Sequence, residues 1–272
     1  MMKDFTGKTA VITGGATGIG LALARQLGAA GAKLIIFEPR EARLIEAVNE
    51  LKNAGFDAQY VVGDVTRVED LEKLADFAWA KNGRADILIN NAGVSSPRKS
   101  VIKTDPMEAR RVFEVNFFGV WSGISVFGKR FLEDGLPSAI YTVASENSLF
   151  NALPFGNGAY LSTKHAVFGL MDVLRREAHD NIQLGVIIPG WVLSEMSEYG
   201  KDIAMDTDEF AAIIFKQMQA GEYYLVSHAY NAVRMEERHN EILEAFAKYA
   251  PRYEGDDEHD VQTIVARMQE KQ

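Results

Sequence analysis

The stretch Thr13-Gly14-Gly15-Ala16-Thr17-Gly18-Ile19-Gly20 decides the fold of this chain. It follows an apolar, β-branched run and leads into a run of leucine and alanine, which predicts a turn between a strand and a helix. Gly14 suits a turn with positive φ, Gly18 lets the backbone approach a pyrophosphate, and Gly20 lets the helix pack closely on the strand. Because a helix N-terminus attracts anions, the stretch predicts a dinucleotide site; an ordinary glycine-rich turn is the alternative.

Short β-branched runs alternate with amphipathic stretches along most of the chain. The runs lie at residues 10–13, 34–37, 60–62, 87–89, 139–143 and 185–188. Such alternation is typical of βαβ units, and apolar residues at successive positions favour strands covered by helices on both faces. We therefore predict an α/β fold, a single doubly wound Rossmann domain with a central parallel sheet and a C-terminal helical extension.

Helix starts and the later part of the chain complete this organisation. Thr66-Arg67-Val68-Glu69 matches a capping box, and Asp105-Pro106 places proline at the start of a long helix that we expect to end near Phe131. Farther along, the pattern predicts a helix over 208–220, a short strand over 223–226 and a helix over 231–249. The predicted boundaries are residues 1–230 for the Rossmann domain, with a substrate lid at 195–220, and residues 231–272 for a helical extension with an acidic tail.

Composition excludes several classes of function. The 272 residues include 38 acidic and 29 basic side chains and no cysteine, and the formal net charge is −9. No stretch concentrates lysine and arginine, so we expect no nucleic-acid partner. The lack of cysteine excludes disulfides and thiolate chemistry. We find neither an export signal nor an apolar run of the roughly 18 residues that span a bilayer, and therefore expect a cytoplasmic protein with no membrane partner.

The acidic excess is confined to the end of the chain. Residues 1–192 hold 21 acids and 21 bases, whereas residues 193–272 hold 17 acids and 8 bases. An acidic rim around the substrate entrance would disfavour anionic substrates, and a purely solubilising role is the alternative.

Glu38 stands eighteen residues after Gly20, at the end of the second predicted strand. A carboxylate there accepts hydrogen bonds from the adenosine ribose of NAD, and it repels a 2′-phosphate at about 5 Å by a few kcal/mol. We therefore expect NAD to be favoured over NADP, by about 100-fold. Arg40, two residues on, could instead turn toward a phosphate, or form a plain surface ion pair with Glu38.

Tyr160 and Lys164 are four residues apart, which places them on one face of a helix. The pKa of a phenol, about 10, must fall by roughly three units for acid–base catalysis near neutrality. A close ammonium lowers such a pKa by about 1–3 units, and an oxidised nicotinamide adds to this. The pair is therefore a candidate acid/base, with an ordinary helix surface as the alternative.

Five spaced motifs together resemble the short-chain dehydrogenase/reductase family over residues 8–194. They are the glycine loop, Asn90-Asn91-Ala92-Gly93, Asn116, Ser145 and Tyr160-x-x-x-Lys164. The resemblance implies that Tyr160 is the acid/base, that Ser145 hydrogen-bonds the substrate oxygen, and that Lys164 also binds the nicotinamide ribose. It further implies that Asn116 helps to hold a proton-relay water.

The resemblance also implies the residues that bind the cofactor. Besides Tyr160 and Lys164, they are Thr13, Gly14, Thr17, Gly18, Ile19, Gly20, Glu38, Asp64, Val65, Asn91, Ala92, Gly93, Pro189, Gly190, Val192 and Ser194. Ser194 stands where the family usually has threonine, and either hydroxyl suits contact with the nicotinamide carboxamide. Ser148 is a rival for the serine role, because it precedes Tyr160 by twelve residues and Ser145 by fifteen. We favour Ser145, which follows its strand directly, so that residues 146–158 carry an insertion.

Aromatic residues suggest the substrate. We expect Phe150, Phe155, Trp191 and Tyr199 to contact it, with Phe117 nearby, although core packing explains such residues equally well. The predicted reaction is hydride transfer between NAD(H) and a hydrophobic or aromatic secondary alcohol or ketone. The alternatives are oxidation of a cis-dihydrodiol or a sterol at the same site, and a non-catalytic dinucleotide-binding sensor. Residues 195–206 are expected to form a mobile lid.

No metal site is expected. Asp256, Asp257, His259 and Asp260 could hold an ion, but a solvated acidic cluster is the simpler interpretation. Oligomerisation, as a homodimer or homotetramer, is implied by the resemblance alone, through the long helices at 105–131 and 160–180.

Overall fold

The computed structural model describes residues 2–153, 155–177, 179–195 and 202–270. In these residues, seven strands form one parallel sheet: β1 (Thr9–Thr13), β2 (Lys33–Glu38), β3 (Ala58–Val62), β4 (Ile87–Asn90), β5 (Ser138–Val143), β6 (Ile182–Ile188) and β7 (Tyr224–Val226). The α-helices are α1 (Gly18–Ala29), α2 (Glu41–Asn53), α3 (Val68–Asn82), α4 (Pro106–Phe113), α5 (Gly119–Asp134), α6 (Gly158–Glu177), α7 (Thr207–Ala220), α8 (Asn231–Tyr249) and α9 (Val261–Gln269). The predicted fold class is confirmed.

The strand order β3-β2-β1-β4-β5-β6-β7 reverses direction between β1 and β4. On one side β1 pairs with β2, and on the other it pairs with β4. Ligands of open α/β sheets bind at such a reversal, beyond the carboxyl ends of the strands. The loops after β2, β1, β4, β5 and β6 follow one another along this edge in that order.

Two apolar cores cover the faces of the sheet. Successive residues of β1 point to opposite faces, so that Ile12 joins the core beneath α1, α2 and α7, and Val11 joins the core beneath α3, α5 and α6. Both faces are therefore buried, which explains why the strands are apolar at successive positions.

The helix starts differ from the prediction in one case. Pro106 begins α4 as predicted, and Asp105 caps this helix, with its carboxylate accepting from the Met107 amide at 2.8 Å. The capping box at Thr66 is wrong, because α3 begins at Val68 and no side chain caps it in the described structure. Thr66 instead donates both its amide and its hydroxyl to the Asp64 carboxylate, each at 2.9 Å.

The long helix predicted from Asp105 is interrupted by one π-helical segment. Residues Glu114–Phe118 form this segment between α4 and α5, and α5 continues to Asp134, beyond the expected end at Phe131. Such π segments occur often at functional sites. Here it contains Asn116.

The structure divides into two compact units, residues 1–229 and 230–272. In the first unit, α7 buries Phe210, Ala211, Ile214 and Met218 in the core beneath α1, so this helix is a core element and not part of a mobile lid. The second unit contains α8, a short 3-10 turn (Asp256–His259) and α9. Among the described residues, no helix combines the length and apolar character that crossing a bilayer requires.

Candidate active site

A cavity of about 720 Å³ opens along the carboxyl edge of the sheet. Most of the predicted site residues line it: Gly14, Thr17, Gly18, Ile19, Glu38, Asp64, Val65, Asn91, Ala92, Gly93, Ser145, Tyr160, Lys164, Pro189, Gly190, Trp191, Val192 and Ser194. Because the strand order fixes the positions of the loops, Glu38 at the end of β2 and Ser145 after β5 lie at opposite ends of the cavity, with the glycine loop between them.

The glycine loop has the conformation that its sequence predicts. Gly14 and Gly18 have φ values of 61° and 54°, which side chains rarely allow. A Cβ on Gly14 would lie 2.7 Å from the Cα of Ala92, and one on Gly20 would lie 2.5 Å from the Asn91 side chain. The backbone therefore approaches the loop after β4 closely.

The start of α1 suits a phosphate group. In the described structure, no side chain caps this helix at Thr17, and no acidic residue lies in its first turn. Its first amide groups thus face the cavity with the partial positive charge of the helix N-terminus. Together with the missing Cβ atoms, this arrangement fits the pyrophosphate of a dinucleotide.

Thr13 and Gly20 lie behind the cavity wall. The Thr13 hydroxyl accepts from the amides of Asn91 and Ala92, each at 3.1 Å. The Asn91 side-chain amide donates to the carbonyls of Thr13 at 3.0 Å and Gly14 at 2.8 Å. Thr13 and Gly20, predicted as cofactor contacts, instead hold the glycine loop against the loop after β4.

Asn116 has a similar supporting position. It is completely buried; its carboxamide oxygen accepts from the Val94 amide at 2.8 Å, and its nitrogen donates to the Val94 carbonyl at 2.9 Å. The same nitrogen donates to the Thr163 hydroxyl at 3.2 Å. The side chain therefore fixes the loop after β4 to α6 and does not line the cavity.

Lys164 is a buried cation at the floor of the cavity. Its side chain passes Tyr160, with Nζ 5.6 Å from the centre of the ring, and donates to the Val143 carbonyl at 2.7 Å. Burial lowers the pKa of Lys164 to about 8, because desolvation disfavours the ammonium. A substantial fraction of Lys164 is therefore neutral at mildly alkaline pH.

Tyr160 lies one helical turn before Lys164. Burial raises the pKa of Tyr160, a hydrogen bond with Ser145 lowers it, and the nearby Glu146 carboxylate raises it further. Burial is the largest influence even though part of the ring is exposed to the cavity. The chain alone thus keeps the phenol protonated, contrary to the lowering that we expected from Lys164.

Ser145 is placed for contact with the reacting oxygen, whereas Ser148 is not. Both backbone and side-chain nitrogens of Asn147 donate to the Ser145 hydroxyl oxygen, at 3.1 and 3.4 Å. The hydroxyl hydrogen remains for Tyr160 or a substrate. Ser148 is buried and donates its hydroxyl to the Lys164 carbonyl at 2.7 Å, outside the cavity lining.

The segment between Ser145 and α6 supplies a wall of the cavity through Glu146, Asn147, Ala152, Leu153 and Asn157. Asn157 has a φ of 64°, and its side chain accepts from the Ser96 hydroxyl at 2.9 Å. Its carbonyl accepts from the Leu161 amide at 3.0 Å, at the start of α6. This turn therefore joins the inserted wall to the helix that carries Tyr160.

The aromatic residues predicted to bind the substrate are mostly placed elsewhere. Trp191 lines the cavity. Phe150 is buried away from it and Phe155 is 75% exposed, so neither lines it. Phe117 packs against the ring of Phe118 at 5.1 Å. Tyr199 lies outside the described residues, as do residues 196–201 of the predicted lid at 195–206.

The adenosine end holds a network of charged groups that the sequence reveals only in part. Glu38 is 5% exposed and accepts a hydrogen bond from Arg40, which also donates to Glu195 at 2.8 Å. Arg43 reaches the same Glu195 carboxylate at 3.2 Å. The hydrogen bonds to Glu38 and then Glu195 raise the pKa of Arg40, and the Arg40 bond lowers that of Glu195.

Sequence reasoning missed Glu146 and Asn157 on the substrate wall and Glu195 at the adenosine end. The position of Glu146 directly after Ser145 was a usable signal, as was the Gly156-Asn157 pair before α6. Glu195 gave no such signal, since it is 155 residues from Arg40 in the chain.

Three carboxylates of the acidic tail bind partners within the second unit. Asp256 binds Arg252, Asp257 binds Arg267 at 2.9 Å, and Asp260 caps α9 by accepting from the Thr263 amide at 2.8 Å. In the part of the chain that the structure describes, no group of three or more His, Asp or Glu side chains is arranged to hold a metal.

Known proteins resemble this chain in sequence and in fold. The family model for short chain dehydrogenases matches residues 8–202. The 1-deoxy-11-beta-hydroxypentalenate dehydrogenase of Streptomyces exfoliatus is 29% identical over 244 residues, which cover 86% of this chain and 88% of that protein.

Two solved structures extend the comparison. A short chain dehydrogenase/reductase from Burkholderia phymatum in complex with NAD has 26% identity and a TM-score of 0.83, covering 90% of this chain and 97% of its own. An alcohol dehydrogenase from Thermococcus sibiricus complexed with 5-hydroxy-NADP has 26% identity and a TM-score of 0.70, covering 78% and 90%. Since the matched stretch contains the glycine loop, Ser145, Tyr160 and Lys164, the chain belongs to the short-chain dehydrogenase/reductase family of oxidoreductases.

Proposed function

We propose that the protein transfers a hydride between NAD(H) and a hydrophobic or aromatic secondary alcohol or its ketone, with Tyr160 as the acid/base. The observation that carries this proposal is that Ser145, Tyr160 and Lys164 line the same cavity as the glycine loop. A dinucleotide on the loop and a carbonyl compound beside Tyr160 would therefore share one enclosed space.

A nicotinamide dinucleotide is the cofactor class that the similar structures support, one with NAD and one with 5-hydroxy-NADP. We favour NAD for this chain because the buried Glu38 carboxylate lies at the adenosine end of the cavity. There a carboxylate accepts hydrogen bonds from ribose hydroxyls and repels a 2′-phosphate.

The roles of the chain's own groups follow from their contacts. In the proposed complex, Ser145 donates to the substrate oxygen the hydroxyl hydrogen that it otherwise shares with Tyr160, because Asn147 already occupies its acceptor positions. In ketone reduction Tyr160 gives its phenolic proton to that oxygen, and in alcohol oxidation it removes the hydroxyl proton. When bound, the nicotinamide supplies or accepts the hydride.

In the proposed reaction, Lys164 stabilises the phenolate of Tyr160 when it forms, whereas burial keeps the phenol protonated in the chain alone. Its ammonium is held in place by the Val143 carbonyl at 2.7 Å and remains charged below its pKa of about 8. A positive charge close to the phenol stabilises the phenolate that forms during ketone reduction. Lys164 is also the residue that we propose for the nicotinamide ribose hydroxyls.

The substrate end of the cavity supports an apolar, uncharged compound. Apolar side chains there include Val94, Leu153 and Trp191. Glu146 places a carboxylate on the same wall, beside Tyr160, where like-charge repulsion disfavours an anionic group on the substrate. The Arg98 guanidinium also belongs to the cavity lining.

An absorbance assay at the nicotinamide band tests the proposal. The purified protein is mixed with NAD or NADH and a panel of hydrophobic secondary alcohols, ketones, cis-dihydrodiols and sterols, with carboxylated analogues as matched controls. We expect turnover of uncharged members and weaker turnover of the carboxylated ones at low salt. NAD binding without turnover of any member would instead favour the dinucleotide-binding sensor, and turnover restricted to dihydrodiols or sterols would favour those alternatives.

We also propose that the protein is a cytoplasmic homo-oligomer. The π segment and α5 expose the large apolar side chains Phe118 and Trp121, at 49% and 52%. Burial of such residues between copies would contribute favourably to assembly. Light scattering coupled to size-exclusion chromatography measures the mass, and a 30.1 kDa species at all concentrations would refute the oligomer.

A further inference from the structure

We infer that Glu195 is a specificity-determining residue for the coenzyme, because it keeps Arg40 and Arg43 from binding a 2′-phosphate. The inference rests on the proposed function and deepens it. With Glu38 as its only partner, Arg40 would keep its remaining donors available for the 2′-phosphate of NADP. The contacts of Glu195 explain why this arginine instead belongs to a site for NAD.

The Arg40 guanidinium donates hydrogen bonds to two carboxylates. Its Nε donates to Glu38, whose side chain is 6% exposed, and its Nη1 donates to Glu195 at 2.8 Å. An arginine presents its donors in a fixed planar fork, so contacts on two sides fix the orientation of the whole group. Arg40 therefore cannot turn its fork toward a ribose substituent while both bonds are kept.

Arg43 is the second cation of this network. Its Nη2 lies 3.2 Å from Glu195, and its Nη1 lies 3.2 Å from Glu46 in the same helix. Glu195 thus engages both arginines of the β2–α2 region, whereas Glu46 engages only Arg43. Glu38, Glu46 and Glu195 carry three negative charges against the two positive charges of Arg40 and Arg43, so the network has no excess positive charge to attract a phosphate.

The backbone brings Glu195 to this position. A Cβ on Gly18 would lie 3.3 Å from the Cβ of Ser194, so the segment after β6 passes directly over the glycine loop. The Leu193 amide donates to the Met205 carbonyl at 2.9 Å, and the Thr207 hydroxyl donates to the Leu193 carbonyl at 2.8 Å. These bonds tie the segment to the start of α7.

Replacing Glu195 by glutamine changes the charge and keeps the shape. The variant removes one negative charge, so that Glu38 and Glu46 balance the two arginines. It also weakens the hold on Arg40, because the glutamine amide oxygen accepts a hydrogen bond without carrying a charge. A 2′-phosphate carries up to two negative charges, and a charge-assisted bond to arginine strengthens its binding by about ten-fold or more. We therefore expect Glu195→Gln to raise the affinity for NADPH about ten-fold and to change that for NADH by less than about three-fold.

Glu46→Gln is the matched control, since it removes a partner of Arg43 and leaves Arg40 in place. Dissociation constants for NADH and NADPH are measured by nicotinamide fluorescence with the unmodified protein, both single variants and Glu195→Gln combined with Arg40→Ala. The increase in affinity for NADPH should occur in Glu195→Gln, be small in Glu46→Gln and disappear in the double variant.

An unchanged ratio of the two affinities in Glu195→Gln would overturn the inference, and so would an equal gain in Glu46→Gln or a gain that survives the loss of Arg40. These binding measurements need no turnover. Lack of turnover with every substrate would therefore refute the proposed reaction and still leave the role of Glu195 open to a separate result.

Discussion

Replacement of Lys164 by methionine should stabilise the protein at neutral pH and remove its turnover. Burial lowers the pKa of Lys164 from 10.5 to about 8, a difference that corresponds to about 3 kcal/mol at 25 °C. Methionine fills much of the same space without a charge, so this cost of a buried ammonium is removed. The lost bond to the Val143 carbonyl, 2.7 Å in the native protein, offsets about 1–3 kcal/mol of the gain.

The pH dependence of this stability difference tests the lowered pKa of Lys164 more directly than the size of the difference does. Above the unfolded-state pKa of about 10.4, lysine is neutral whether the chain is folded or unfolded, and the burial cost vanishes. As the pH falls through the interval down to about 8, the unfolded chain binds a proton that the folded one resists, and the cost grows to its full value. The stability advantage of Lys164→Met over the native protein should therefore be constant below pH 8 and shrink by about 3 kcal/mol toward pH 10.5.

Urea unfolding of both proteins at pH 7, 8, 9 and 10 measures this difference. Lys129→Met is the matched control, because Lys129 is exposed on α5 and its replacement should give a difference that changes little with pH. A difference for Lys164→Met that does not vary between pH 7 and 10 would show that Lys164 is not held in the folded protein with a lowered pKa.

Two further predictions concern the residues beside Tyr160. Ser145→Ala should reduce kcat by about 100-fold or more while NADH binding is kept, whereas Ser148→Ala, which removes only a bond to the Lys164 carbonyl, should retain most turnover; the reverse order in steady-state assays would transfer the role to Ser148. Glu146→Gln should move the pH profile of alcohol oxidation to lower pH, because the Glu146 carboxylate raises the pKa of Tyr160. A profile that is unchanged, or moves to higher pH, would contradict this electrostatic role.

The sheet and the loops at its edge could be predicted because their signals are local. Each strand contains a run of successive apolar residues, and Gly14 and Gly18 are needed at positions where φ is positive. Tyr160 and Lys164 lie on one helix, so their spacing alone fixes their proximity. In such cases a few neighbouring residues determine the structure.

The features that could not be predicted from the sequence depend on contacts between distant segments of the chain. Glu195 meets Arg40 only because the chain after β6 passes over the glycine loop, a route that no local pattern records. Asn116 has the residue type expected for a catalytic group, yet its position in a π segment directs all its side-chain bonds to Val94 and Thr163. Phe150 is apolar, so its residue type suits either a substrate pocket or a core, and in the structure it is buried in the core.

The central claim, that Tyr160 is the acid/base of a nicotinamide-dependent oxidoreductase, is tested most directly by Tyr160→Phe. The variant keeps the ring and loses only the hydroxyl, and Tyr224→Phe on β7 serves as the control. We predict that Tyr160→Phe binds NADH with unchanged affinity and loses at least about 1,000-fold in kcat on the best substrate of the panel. Turnover by Tyr160→Phe within about three-fold of that of Tyr224→Phe would contradict the claim.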